Sequence, residues 1–240
     1  MPRLEFVAIT LFALSCCCFT LGCKMVADGQ NVEGVRLLEQ GQPQAALQRF
    51  QHIMVANPTN ADAVYNMAAT YHRMGSEQGD KKLLDQAESL YNRCLDLNPD
   101  HLQCRRGLAV LLVETDRSEN AFNLLKNWAS SAPQNADARI ELARLYEEMG
   151  DLETAKLHLN KAILIDQNNS RAWAALAKLR EDLGDPEQAL ANYQRSYNLN
   201  QFQPGVANRI AALSRARLNG GSVSTPSGTR TVTVPPPTRR

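Results

Sequence analysis

A chain of 240 residues with 44% apolar and 21% charged residues is neither collagen-like nor disordered throughout; those classes need far more Gly and Pro or far less apolar content. Its 26 Lys and Arg against 25 Asp and Glu leave a formal charge of +1, so the basic excess that nucleic-acid phosphates demand is missing and no nucleic-acid partner is expected. Four of the six cysteines, Cys16, Cys17, Cys18 and Cys23, crowd into the first 23 residues, which is not the distribution of a disulfide framework.

The chain begins Met-Pro-Arg-Leu-Glu and then carries no charge from Phe6 to Cys23, an 18-residue run ended by Lys24. A short basic start followed by an apolar run is the pattern of an export signal. The run is also just long enough to span a bilayer, so a retained anchor is the alternative. Its end, Phe19-Thr20-Leu21-Gly22-Cys23, resembles the lipobox of bacterial lipoproteins, in which a small residue precedes an obligatory Cys. Thr20 stands where Leu is usual and Leu21 where a smaller residue is usual. The resemblance implies a signal peptide over 1–22, lipid on Cys23, and a lipidated tether over 23–26 that holds the chain to a lipid bilayer. Each buried methylene contributes about 0.8 kcal/mol, so several acyl chains on one Cys hold where a single chain is marginal. Export also implies a compartment in which disulfides persist.

From residue 27 the sequence repeats. Ala46, Ala87, Ala121, Ala155 and Ala189 are spaced 41, 34, 34 and 34, and Gly34, Ala68, Ala109, Ala143, Ala177 and Ala211 keep the same period. Both series jump by seven at one place, which puts a seven-residue insertion near residues 76–82. Four residues after each alanine of the first series comes a large one, Phe50, Tyr91, Leu125, Leu159 and Tyr193, the spacing of one helix face. Gly41, Gly75, Gly150 and Gly184, with Asp116 in the third unit, read as turns between paired helices, and Pro58, Pro99 and Pro133 close the first three units. This helix-turn-helix unit of about 34 residues resembles the tetratricopeptide repeat. The expected fold is all-α, a tetratricopeptide-repeat α-solenoid over 27–218, with repeats at 27–60, 61–101, 102–135, 136–169 and 170–203 and a capping helix at 204–218. Residues 219–240, rich in Gly, Ser, Thr and Pro, read as a disordered tail. Its Arg230, Arg239 and Arg240 carry +3, leaving residues 24–218 slightly acidic.

The resemblance implies that the first helix of each repeat lines a concave face that takes a protein or peptide segment. On it fall Tyr65, Arg73, Arg106, Val110, Arg144 and Lys178. Val110, Val113 and Ile140 would form an apolar floor, Tyr65 an amphipathic anchor, and the four cations a basic diagonal for an acidic segment. The alternative is a solvated surface in which Glu147, Glu148, Glu181 and Asp182 neutralise those cations. The carboxylate clamp of chaperone-binding members is not expected, since Val35 stands where the first repeat should offer Asn.

Cys94, His101 and Cys104 lie within eleven residues. The two cysteines read as buried thiols, with a disulfide between Cys94 and Cys104 as the alternative. A metal is not expected, because a structural zinc site wants four ligands and no fourth stands nearby in sequence. Trp128 and Trp173 read as core. With no phosphate loop or nucleophile elbow, neither catalysis nor a cofactor is expected. Exported lipoproteins of such repeats resemble the pilotins of type IV pili and the tetratricopeptide lipoproteins of tight-adherence pili. That implies a lipid-anchored scaffold of the bacterial envelope, assisting assembly of a pilus or secretin; an adaptor for envelope hydrolases or proteases is the alternative, and an enzyme with an unrecognised site a more distant one.

Overall fold

In the computed structural model, residues 31–218 are described, and all their regular structure is helical. The expected signal peptide, Cys23 and its tether, the start of the first repeat and the 219–240 tail with its three arginines lie outside the described residues. The helices are α1 (described over 31–39), α2 (Pro43–Ala56), α3 (Ala61–Gln78), α4 (Lys81–Leu97), α5 (Leu102–Glu114), α6 (Ser118–Ser131), α7 (Ala136–Glu148), α8 (Leu152–Ile165), α9 (Ser170–Asp182), α10 (Pro186–Leu199) and α11 (Pro204–Leu218). They form two compact units, Met1–Arg117 with α1 to α5 and Ser118–Arg240 with α6 to α11.

The helix ends follow from side chains that satisfy free backbone N–H groups. Asn60, Asn135 and Asn169 accept from the backbone N–H of Ala63, Ala138 and Ala172 at 2.9, 3.1 and 3.1 Å, starting α3, α7 and α9. Asp80, Asp151 and Asp185 cap α4, α8 and α10 in the same way. Between paired helices the chain turns in the left-handed region at Gly41, Gly79, Gly150 and Gly184, and at Asp116 (φ 59°).

Gly75 is not a turn. It is buried inside α3, where a Cβ would come within 2.8 Å of Leu84, and Gly79 takes the left-handed position instead. The insertion explains the shift. Helix α3 has 18 residues where α5, α7 and α9 have 13, and α4 has 17 where α6, α8 and α10 have 14. The link between α3 and α4 is one residue shorter than the corresponding links, so longer helices absorb all seven added residues.

The periodic residues make the cores. Ala46, Ala87, Ala121, Ala155 and Ala189 are fully buried, and Phe50, Tyr91, Leu125, Leu159 and Tyr193 are buried beside them. In the first unit Phe50 packs so closely on Gly34 that a Cβ there would lie 2.3 Å from its ring. In the second, Ile140, Ala143, Leu159, Leu176 and Leu179 share one cluster, and Val206 and Leu213 of α11 close a further one with Tyr193. Trp128 is core as expected; Trp173 is only partly buried, its indole N–H donating to the Gln167 carbonyl at 2.9 Å.

Candidate partner-binding face

In the first unit α3 and α5 present an aromatic and apolar surface. Tyr65 is half-buried, its ring 6.4 Å from that of Tyr91 and 5.4 Å from that of His101. Burial raises the Tyr65 hydroxyl pKa above its usual value, and the nearby charge of Arg106 opposes that shift. Val110 on α5 is 37% exposed and Val35 on α1 39%, both large apolar side chains left facing water. Arg73 serves another purpose: it pairs with Glu77 at 3.5 Å and donates to the Leu38 carbonyl at 3.4 Å, tying α3 to α1.

Beside these residues runs a polar chain that the periodic pattern does not reveal. His72 is buried, with Nδ1 3.3 Å from the Tyr91 hydroxyl and Nε2 3.0 Å from a Glu114 carboxylate oxygen, which also accepts from Ser76 Oγ at 2.8 Å. The carboxylate can only accept, so Nε2 carries the imidazole proton and Nδ1 accepts from Tyr91. Burial pushes the Tyr91 hydroxyl pKa far up, aided by Tyr65 and Glu114, so it stays protonated as that donor. The overhang of α3 and α4 beyond α5 leaves a cleft of about 290 Å³ lined by Gly75, Ser76, Gly79, Lys81, Leu84 and Glu114. Four of these six residues come from the inserted stretch or its edge.

In the second unit the corresponding helices carry ion pairs. Arg171 donates to Asp137 and to Glu141, each at 2.5 Å, and Arg144 lies 3.6 Å from the other oxygen of Glu141. Lys178 is bound by Glu147 and lies 3.4 Å from Asp182. Burial alone would lower the pKa of Lys178, but the bond and charge of Glu147, with Asp182, raise it. Glu181 is only 6% exposed; Arg209 of α11 grips both its oxygens, and the Tyr193 hydroxyl donates to it at 3.3 Å.

Of the expected basic diagonal, Arg73, Arg144 and Lys178 each face a carboxylate. The expected apolar floor is corrected, since Ile140 is 2% exposed and belongs to the core. Tyr65, Arg106 and Val110 remain together in the first unit, and Arg144 and Lys178 belong to the second. Sequence reading missed Glu141, which is 4% exposed, and the signal was present: it holds the place taken by Gly107 and Ala175 in neighbouring repeats, where a charge is out of pattern.

The thiols are joined. Cys94 near the end of α4 and Cys104 in the first turn of α5 form a disulfide with Cα atoms 6.4 Å apart, within the usual range for a bridge. His101 caps α5, Nδ1 accepting from the Cys104 N–H at 3.2 Å, and its Nε2 lies 3.2 Å from Asp62.

Recurring helix pairs with small residues at their crossings define a helical-repeat protein, a class whose stacked repeats form extended surfaces for binding other proteins. Tetratricopeptide-repeat family profiles match residues 116–179 and, separately, 68–101 and 170–203, together just over half of the chain, and the chain belongs to that family. Among solved structures it is similar to TTC0263, a thermophilic repeat protein of Thermus thermophilus, at 22% identity and TM-score 0.59, covering 79% of this chain and 99% of that one. A tetratricopeptide repeat protein of Parabacteroides merdae is similar at 18% identity and TM-score 0.57, covering 77% and 70%. At these identities the likeness establishes the fold alone. The PEX5-related proteins of Mus musculus and Homo sapiens are 26% identical over 106 residues, 44% of this chain but only 18% and 16% of theirs. The chain thus spans less than a fifth of those relatives.

Proposed function

We propose that this repeat protein is a lipid-anchored scaffold of the bacterial envelope that holds a segment of a pilus or secretin component against α3 and α5. The observation that carries the binding half of the reading is the surface formed by Tyr65, Arg106 and Val110, which combines an aromatic anchor, a cation and an exposed apolar side chain in one unit. Such a surface suits an apolar segment flanked by acidic residues. The anchoring half rests on Phe19 to Cys23 and on the export-like start. Type IV pilotins and tight-adherence lipoproteins, which this sequence resembles, supply the class of partner.

Capture from bacterial membranes tests the reading. Arg106→Ala with Val110→Asp is expected to remove the partners held by the wild-type chain, while Arg144→Ala with Lys178→Ala leaves them; identical partner sets for all three overturn it. Labelling with a fatty-acid analogue is expected to mark the wild-type chain and not Cys23→Ala.

A further inference from the structure

The third repeat differs from its siblings at one spot. The first helices of three other described pairs or repeats begin Asn-x-x-Ala, as Asn60 with Ala63, Asn135 with Ala138 and Asn169 with Ala172; the side-chain oxygen caps the helix and the alanine is fully buried. At the same place α5 has His101 and Cys104, with the same cap and the same complete burial. Cys94 takes the position held by Ile53, Trp128, Ala162 and Ser196 in the other second helices. The fold is thus served by Asn and Ala wherever it needs them, and it does not require His and Cys. A disulfide accounts for the two sulfurs but gives no reason for the imidazole.

We propose that Cys94, His101 and Cys104 form a binding site for a thiophilic divalent cation of the zinc type, which the disulfide closes and reduction opens. One ligand atom from each of the three residues lies within 4.8 Å of the others. Because Nδ1 accepts a backbone N–H, it carries no proton, and Nε2 donates to Asp62. A ligating imidazole requires that arrangement: one nitrogen free to bind and the other donating to a carboxylate, which fixes the ring and strengthens the ligand. Cys104 lies in the first turn of α5, where the helix dipole favours a thiolate. Two thiolates and a neutral imidazole suit a thiophilic cation, and two thiolates neutralise a divalent charge. Nδ1 exchanges the Cys104 N–H for the metal, and the coordinated sulfurs beside it offer that N–H a new acceptor. Asp62, whose side chain is 75% exposed, is the solvent-facing partner of the imidazole.

The balance is simple. A dithiol reductant supplies two electrons and two protons, becomes a disulfide itself, and leaves Cys94 and Cys104 as thiols. The metal then displaces both thiol protons, so two protons are released for each cation bound, and the bridge cannot re-form while the metal is held.

The full chain in detergent, reduced anaerobically with a phosphine, is titrated with Co(II) and then Zn(II). Reduced wild type is expected to develop a thiolate-to-cobalt charge-transfer absorption that Zn(II) bleaches, while the oxidised chain develops none. Cys94→Ala and Cys104→Ala are expected to abolish the component belonging to this site. His101→Asn and Cys104→Ala install residues that the sibling repeats already use, so helix content by circular dichroism should be unchanged. His101→Asn should weaken Co(II) binding at least tenfold, and Asp62→Asn about tenfold. Absence of the band from the reduced chain overturns the proposal. A band of full intensity in Cys104→Ala, which would arise from Cys16, Cys17, Cys18 or Cys23, also overturns it, as does unchanged affinity in His101→Asn.

Discussion

The two units are built on one repeat and spend their first helices differently. In Met1–Arg117, α3 and α5 present Tyr65, Arg106 and Val110 beside the hydrogen-bonded chain of Tyr91, His72 and Glu114. In Ser118–Arg240, α7 and α9 present Arg144, Arg171 and Lys178, each already answered by a carboxylate. The repeat constrains the small residues at helix crossings and leaves the outward positions free to vary, so one scaffold can hold an aromatic and apolar surface and an ion-paired one. A satisfied ion pair has little left to offer a partner, whereas a half-buried tyrosine and an exposed valine gain from being covered.

The largest effect should come from breaking the second unit's arrangement at its most buried carboxylate. Arg209→Ala leaves Glu181, 6% exposed, with only the Tyr193 hydroxyl. Removing one partner of a buried pair costs about 3–5 kcal/mol; with the Arg209 side chain 30% exposed, about 2–3 kcal/mol is expected, read from urea unfolding followed by circular dichroism. Arg209→Ala with Glu181→Leu should recover most of that loss, because no lone charge is left behind.

A smaller effect tests the first unit. Tyr91 packs on Gly107 so closely that a Cβ would stand 2.5 Å from its ring, and the hydroxyl is held by His72. Gly107→Ala should therefore cost about 1–3 kcal/mol through overpacking. In a Tyr91→Leu background the same substitution should cost nothing measurable, since the repeats with Leu125 and Leu159 pack without such a ring. Equal losses in both backgrounds would show that helix geometry, not the tyrosine, demands the glycine.

Much of this fold can be read in the sequence because its determinants are periodic. Ala46 through Ala189 and their partners at the fourth residue recur at fixed spacing, and the jump of seven marks where α3 and α4 lengthen. Gly75 misleads because a glycine at the expected turn position is consistent with either a turn or a tight helix crossing, and only the nearness of Leu84 decides between them. The binding face is harder to read, since it depends on pairs far apart in sequence. Lys178 meets Glu147 across 31 residues, and Arg209 meets Glu181 across 28. A list of outward cations cannot show which of them are neutralised, and that information arises only when neighbouring helices dock.

The smallest effect concerns pH in the second unit. The His158 ring stacks on Tyr146 at 5.4 Å, and burial, with the charges of Arg139 and Lys161, lowers its pKa below the usual value. A base whose folded pKa is depressed binds fewer protons folded than unfolded, between the folded value and about 6.5, so stability rises with pH there and is lost as pH falls below about 6.5. Thermal unfolding of wild type and His158→Gln at pH 7.5 and pH 5 should therefore show a larger acid-induced fall for wild type. Equal falls would mean that His158 is solvated well enough to escape its cationic neighbours.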